Sequence, residues 1–345
     1  MKKNHRLALC QFVLFLLASQ ANAAITLDIV GTAKNGGVQL ILDGLAANLE
    51  AQFNSIFAGT NSSGFLTEMG NANIGSTRSI LAPGTQENIR YEAAFSLNSA
   101  FSGGTSFSTS ANTIPSVGVG VQGGLTLSAN GELIKLFRGL DPKRVLYHFS
   151  YFSKDFSSYL ASSGVSMDSM QFSTGISYQL FRTEPWLPGI RFNGIRVASG
   201  ISYGSFNASY STPFTYSSGG VDMQSDVTLS VDSKVYTLSS EAVTGIRAFY
   251  ILDLYTGLGV DFNFGSTSLK GASSGGTVSA MNGATEVYSG TATVSGTADT
   301  SSPSVLQLRY LIGTQANLGP LGVFLQGQIS TPTVMCLNFG AKLMF

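Results

Sequence analysis

Apolar side chains recur at every second position through stretch after stretch of this chain, the period of a strand with one apolar and one polar face. Ile89 to Phe101 puts Ile89, Tyr91, Ala93, Phe95, Leu97 and Phe101 on one face and Arg90, Glu92, Ser96 and Asn98 on the other. Val117 to Ser128 alternates valines and leucines with Gly118, Gly120, Gln122, Gly124 and Thr126. Met170 to Phe181, Leu254 to Gly265 and Leu306 to Leu318 repeat the pattern most cleanly. Val145 to Lys154, Ile195 to Ser205, Lys234 to Tyr250 and Leu321 to Ile329 carry it less regularly. Thr333 to Phe345 closes the series with Met335, Leu337, Phe339, Ala341, Leu343 and Phe345 on a common face. Each stretch is near the roughly 9 to 11 residues that cross a bilayer on a tilt.

The connections follow a second rhythm. Membrane barrels alternate short turns on the inner side with long loops on the outer side. Counting back from the carboxyl end, Leu318-Gly319-Pro320, Tyr250 to Asp253 and Thr183 to Gly189 fall where short inner turns belong. Phe206 to Ser233 and Ser266 to Val305, rich in Ser, Gly and Thr, fall where long outer loops belong. Val227 to Val231 alternates too but is too short to cross, and reads as part of an outer loop. Ala129 to Lys143 is long for an inner turn.

Composition sharpens the picture. Charged residues are only 11% of the chain, against about 25% in an ordinary soluble domain. A soluble β-sandwich would want charge on its exposed face, and here the face that would be exposed is apolar in strand after strand. With 43% apolar residues the chain is not disordered. Met1 to Arg6 carries three positive charges, and Leu7 to Ala18 is apolar but for Gln11. Ala21-Asn22-Ala23 has the small-x-small pattern of a leader cleavage site. Residues 1–23 are therefore expected to be a signal peptide cleaved after Ala23. The chain beyond Ala23 holds one cysteine, Cys336, so no internal disulfide can staple it. Losing Lys2, Lys3 and Arg6 tips the balance of 19 bases and 19 acids slightly acidic. No basic cluster with interleaved aromatics occurs, so no nucleic-acid partner is expected.

The terminal segment Leu337-Asn338-Phe339-Gly340-Ala341-Lys342-Leu343-Met344-Phe345, with apolar residues at alternate positions and a final aromatic, resembles the C-terminal strand signature of the Gram-negative outer-membrane β-barrel proteins. The resemblance implies recognition by the barrel assembly machinery through Phe345, insertion from the periplasm, and outer-membrane lipid as the surrounding partner. The expected fold is all-β: a transmembrane antiparallel up-and-down barrel of about ten strands over residues 89–345, preceded by an N-terminal segment, 24–88. The count becomes twelve if Ile25 to Val30 and part of Gly64 to Leu81 join the sheet.

Within that N-terminal segment the period changes. Val38, Ile41, Leu42, Leu45, Leu49, Phe53 and Ile56 recur at spacings of three and four, which predicts an amphipathic helix over Val38 to Phe57. Its apolar stripe could rest on the barrel's inner rim or the membrane surface, or the helix could plug the lumen. Positions expected to face the lumen are small, among them Gly118, Gly120, Gly124, Gly175, Gly200, Gly204, Gly257, Gly259, Gly313 and Gly340. Small inward residues leave room for water or an inserted segment.

The polar faces also carry Arg90, Glu92, Arg196, Glu241, Arg247, Asp261, Arg309 and Lys342. Charges facing lipid at the midplane would cost about 2–4 kcal/mol each, so all eight are expected to face inward. There they either pair into a ladder or form a charged constriction, and their excess of base predicts mild anion preference in a channel. His148, flanked by Tyr147 and Phe149, reads as an interfacial histidine. With one histidine beyond the leader, no Cys/His metal spacing and no phosphate-binding glycine loop, no catalysis, metal or cofactor is expected. The sequence points first to passive passage of small solutes through a narrow, N-terminally plugged lumen. A closed barrel with an adhesive or structural role through its long outer loops is the alternative.

Overall fold

The computed structural model describes residues 25–33, 62–78, 90–103, 117–133, 140–160, 165–218, 221–273, 275–282, 285–332 and 334–345. Strand β1 spans Ile25–Ala33 and helix α1 spans Ser62–Thr77. Then come β2 (Tyr91–Gly103), β3 (Val117–Asn130), β4 (Val145–Asp155), a short helix α2 (Ser157–Leu160), β5 (Val165–Phe181), β6 (Glu184–Leu187) and β7 (Ile190–Ser218). The chain continues through β8 (Val221–Ala248), β9 (Leu252–Ser273), β10 (Gly276–Asn282), β11 (Thr285–Ser301), β12 (Leu306–Leu318), β13 (Leu321–Thr331) and β14 (Val334–Met344).

Ten of these strands close into a ring, in the order β2, β3, β4, β5, β7, β8, β9, β12, β13, β14, with β14 paired back to β2. Every neighbouring pair is antiparallel. All ten alternating stretches of the sequence are strands of this ring. Closure removes the unpaired edges that a sheet would otherwise expose to hydrocarbon. Phe345 completes it: its amide donates to the Tyr91 carbonyl at 2.9 Å, and its own carbonyl accepts from Arg90 and Tyr91 at 2.7 and 3.1 Å.

The alternation sets which side chains meet which solvent. Along β2, Phe95, Leu97 and Phe101 are exposed while Glu92, Ser96, Asn98 and Ser102 between them are buried. Leu258 and Ile312 are 67% and 58% exposed, whereas the polar residues Gln307 and Gln315 are 0% exposed. An apolar outside around a polar inside suits a barrel in lipid and would be unstable in water. Tyr151, Phe172, Tyr203, Tyr236 and Phe264 are successive cross-strand partners on that outer surface, forming an aromatic row across β4, β5, β7, β8 and β9. At the opposite end Phe181, Trp186, Phe249, Tyr250 and Phe345 are exposed around the short turns, with the Arg191 guanidinium 4.9 Å over the Tyr250 ring. From Ile190 to Tyr203, at ~3.3 Å per residue and a ~45° tilt, the two rows lie ~30 Å apart, the thickness of a hydrocarbon core.

Trp186 is the only tryptophan of the chain, on the inner turn that carries β6. In vesicles its fluorescence is expected to be quenched more by lipids brominated at shallow acyl positions than at deep ones. Stronger quenching from the deep label would place the inner turns elsewhere.

Three expectations need correction. Gly64 to Leu81 does not add a strand, because Ser62–Thr77 is helical. Ile25 to Val30 is a strand but joins no ring position: β1 pairs with β11, from Ile25 opposite Gly296 to Ala33 opposite Tyr288. The stretches that read as long outer loops are mostly sheet in their described residues. β7 and β8 stay paired out to Ser218 opposite Val221, about 15 residues or roughly 50 Å of strand past Tyr203. β10 pairs with β8, and β11 with β10, β9 and β1. Thr and Ser, which suit a pleated surface wet on one face, carry this extension without the apolar alternation that lipid imposes. The helix expected over Val38 to Phe57 and residues 1–23 lie outside the described residues.

Candidate functional site

The lumen is where the polar chemistry of the chain converges, and its outer half is occupied. α1 contacts β14, β2 and β3 on one side of the ring and β7, β8 and β9 on the other, so it stands inside the barrel. Leu66, Asn71, Ala72, Ile74 and Ser76 are all 0% exposed. The wall is shaped to receive it. A Cβ on Gly118 would fall inside the Glu68 carbonyl, and one on Gly120 would lie 2.6 Å from the Ala72 oxygen. Gly204 makes room for Thr77 in the same way. The helix reciprocates: a Cβ on Gly70 would be 2.9 Å from Thr267 Oγ1, and one on Gly75 2.8 Å from Cys336 Sγ. Other small inward residues accommodate wall side chains: Gly259 lies under the Arg309 guanidinium and Gly313 under the Tyr255 ring.

A helix in a polar lumen must satisfy polar walls on every side. Asn73 Nδ2 donates to Ser233 Oγ at 3.0 Å, and Asn73 Oδ1 accepts from Gln122 Nε2 at 3.0 Å. Asn71 Oδ1 accepts from the Ser304 amide at 2.9 Å and from Gln307 Nε2 at 3.1 Å. Thr67 and Ser301 share a hydroxyl contact of 2.6 Å, Glu68 pairs with Ser102, and the Thr77 carbonyl accepts from Gln171 at 2.7 Å.

Below the helix lies a buried charge network. Arg78 Nε is 3.0 Å from Asp261 Oδ2, tying the segment to the wall. Asp261 also meets Arg309 Nη2 at 3.2 Å, and Arg309 Nη1 meets Glu241 at 2.7 Å. Lys342 Nζ lies 3.3 Å from Glu92, both side chains fully buried. Arg196 is buried on β7. Arg247 grips Asp253 through two bonds of 2.7 and 3.0 Å, and Asn193 and Asn317 complete the carboxylate's shell at 3.1 and 2.7 Å.

Of the eight charges expected to face inward, all do so but Arg90, which stands exposed at the inner rim, one residue ahead of β2. Glu92 with Lys342, Arg247 with Asp253, and Arg309 with Glu241 and Asp261 make most of them a ladder of pairs. Arg78 and Asp253 belong to the network without having signalled themselves in the sequence: the first lies in a segment without strand or helix period, the second in an expected turn. With Asp253 counted, the described lumen holds nearly as many acids as bases, which removes the ground for anion preference. His148 is not interfacial but buried in the lumen, held by Ser128 at 3.0 Å on Nδ1 and by Ser177 at 2.9 Å on Nε2. Among the described residues no group of His, Cys, Asp and Glu side chains is arranged to hold a metal ion.

A search of solved structures finds chains similar to this one. The transport unit of the autotransporter AIDA-I from Escherichia coli aligns over 82% of this chain and 99% of its own, at 9% identity and a TM-score of 0.35. Ail, the attachment invasion locus protein of Yersinia pestis, aligns over 74% and 100% at 14% identity and a TM-score of 0.24. A major outer membrane protein from Thermus thermophilus aligns over 73% and 99% at 13% identity and a TM-score of 0.25. A comparison with curated proteins finds no match. The chain folds as a ten-stranded antiparallel barrel with an apolar outer face, and with a family model matching residues 20–345 it belongs to the Lsa36-like family.

Proposed function

We propose that this protein is a closed barrel whose work is contact beyond the membrane, made by the sheet that its outer hairpins build. The observation that carries this reading is the occupied lumen. Side chains lining a water-filled channel are wet, whereas here Gln122, Gln171, Gln307, Gln315 and Lys342 are 0–1% exposed around and below α1. Passive passage of small solutes, the first expectation from the sequence, would require α1 to leave and the pairs beneath it to part. The outer sheet supports the reading from the other side. β7 and β8 are 29 and 28 residues long, far more than a crossing requires. Past Tyr203 and Tyr236 the two strands are rich in Ser and Thr in sequence, and Tyr210 is about half exposed. Binding, not catalysis, is the proposed activity, in the sense of adhesion or an envelope link.

Two measurements test it together. The refolded protein in a planar bilayer is expected to be electrically silent, and discrete conductance steps from the unaltered chain would overturn the closed-barrel reading. In a trimmed variant, Phe206 and Ser233, which are cross-strand partners, are joined by an Asn-Gly turn that suits a two-residue hairpin. The trimmed barrel is expected to insert normally while cells bearing it lose most attachment to surfaces coated with extracellular protein or glycan. Equal attachment with and without the hairpin would remove the contact role.

A further inference from the structure

The described elements fix the direction in which the leading part of the chain runs. β1 is paired with β11, on the outer side of the ring, because β11 lies between the outer ends of β9 and β12. α1 enters from that side: Thr67 meets Ser301, where β11 comes back down to the ring, and Glu68 meets Ser102 and Gly118, at the outer ends of β2 and β3. One turn on, Asn73 reaches Gln122, deeper along β3. Gly70 faces Thr267, whereas Arg78 meets Asp261, further inward on β9. Arg90, ahead of β2, lies on the inner rim against Phe345. Outer sheet, lumen and inner rim therefore follow one another in sequence order.

From this we infer that the N-terminal segment crosses the outer membrane through the barrel's own interior, making the molecule the conduit for its own leading strand. β1 is displayed on the cell surface, and α1 is the part of the passing segment that stays behind as filling. A chain that inserts from the inner side holds this segment there at first. Hydrocarbon penalises the passage of charges such as Asp28, Glu68 and Arg78, while the lumen offers polar wall groups such as Gln122, Ser233 and Gln307. The small residues of α1, among them Gly70, Ala72, Gly75 and Ser76, and the wall glycines opposite it fit a segment that must slide before it seats. This inference concerns topology and stands whether or not the outer sheet binds anything.

Membrane-impermeant maleimide labelling of intact cells tests it, in a Cys336→Ser background. Thr32→Cys and Asp28→Cys, in β1, are expected to label in intact cells. Pro320→Cys, in an inner turn, should label only after the outer membrane is permeabilised. A second arm keeps Cys336 and adds Gly75→Cys, whose Cβ would lie 2.8 Å from the Cys336 sulfur, within reach of a disulfide. The bridge is expected to form in cells and to appear as a mobility shift without reductant. Gly70→Cys with Thr267→Cys repeats this arm should the first variant fail to fold. β1 cysteines that label only after permeabilisation would overturn the inference. So would β1 cysteines exposed on intact cells whose folded helix variants form no bridge in either pair, since the segment would then have crossed by another route.

Discussion

Replacing Gly118 and Gly120 with alanine or leucine is expected to turn a silent barrel into a conducting one. The added Cβ atoms would meet the Glu68 and Ala72 carbonyl oxygens, which belong to helix backbone and cannot swing aside as a side chain would. Overpacking typically costs about 1–3 kcal/mol, more when the obstacle is rigid. β3 is held by hydrogen bonds to β2 and β4 along its edges, whereas α1 is held by side chains, so the helix yields first. Planar-bilayer recording should then show discrete steps absent from the unaltered protein. The alanine variant guards against leucines that block the lumen themselves. A folded alanine variant that stays silent, with α1 still resistant to protease, would mean that the lumen tolerates the helix in a shifted seat.

The second large effect is expected from Asp261→Asn. Asp261 is 0% exposed and holds Arg78 and Arg309 at once, so it joins the helix segment to the wall. Neutralising it leaves Arg309 with Glu241 alone and removes the carboxylate that pairs with the buried Arg78. Removing one partner of a buried pair generally costs about 3–5 kcal/mol, because the charge left behind stays desolvated. Unfolding in urea, followed by the gel shift of heat-modified barrels, should show a correspondingly lower midpoint. Arg78→Met is the informative companion: it frees the helix segment but keeps the Asp261–Arg309 pair, so it should loosen α1 with a smaller loss of barrel stability. A midpoint unchanged in Asp261→Asn would show that the two arginines find other acceptors.

The ring is legible in the sequence because lipid is a demanding solvent. Positions such as Leu258, Ile312 and Phe339 must be apolar and their neighbours must not be, so each strand announces itself at period two. Above the membrane that demand ceases. The extension of β7 and β8 from Phe206 to Ser233 lies beyond the outer aromatic row, and its Ser and Thr residues read as loop although they stay paired as far as Ser218 opposite Val221. α1 is hidden for the converse reason. Amphipathic periodicity arises where a helix has one apolar and one wet side, but Asn71 and Asn73 reach polar walls in different directions, and Ser76 and Thr77 turn their hydroxyls back on the helix's own carbonyls. The glycines hint at an inserted segment, and at Gly118, Gly120 and Gly204 that is what they receive. Individual pairings such as Arg78 with Asp261 depend on which residues fold back into the barrel, which no local pattern encodes.

Gly75 has a bearing on how the molecule is put together. The atoms crowded around it belong to Ala100 on β2 and to Val334 and Cys336 on β14, the first and last strands of the ring. Those two strands meet only when the cylinder is complete, so the helix cannot find this seat on a half-built barrel. Once seated, it stitches the joint from within. The filling thereby certifies closure: a barrel still open at that joint has nowhere to lodge it, and a barrel that has lodged it resists coming apart there.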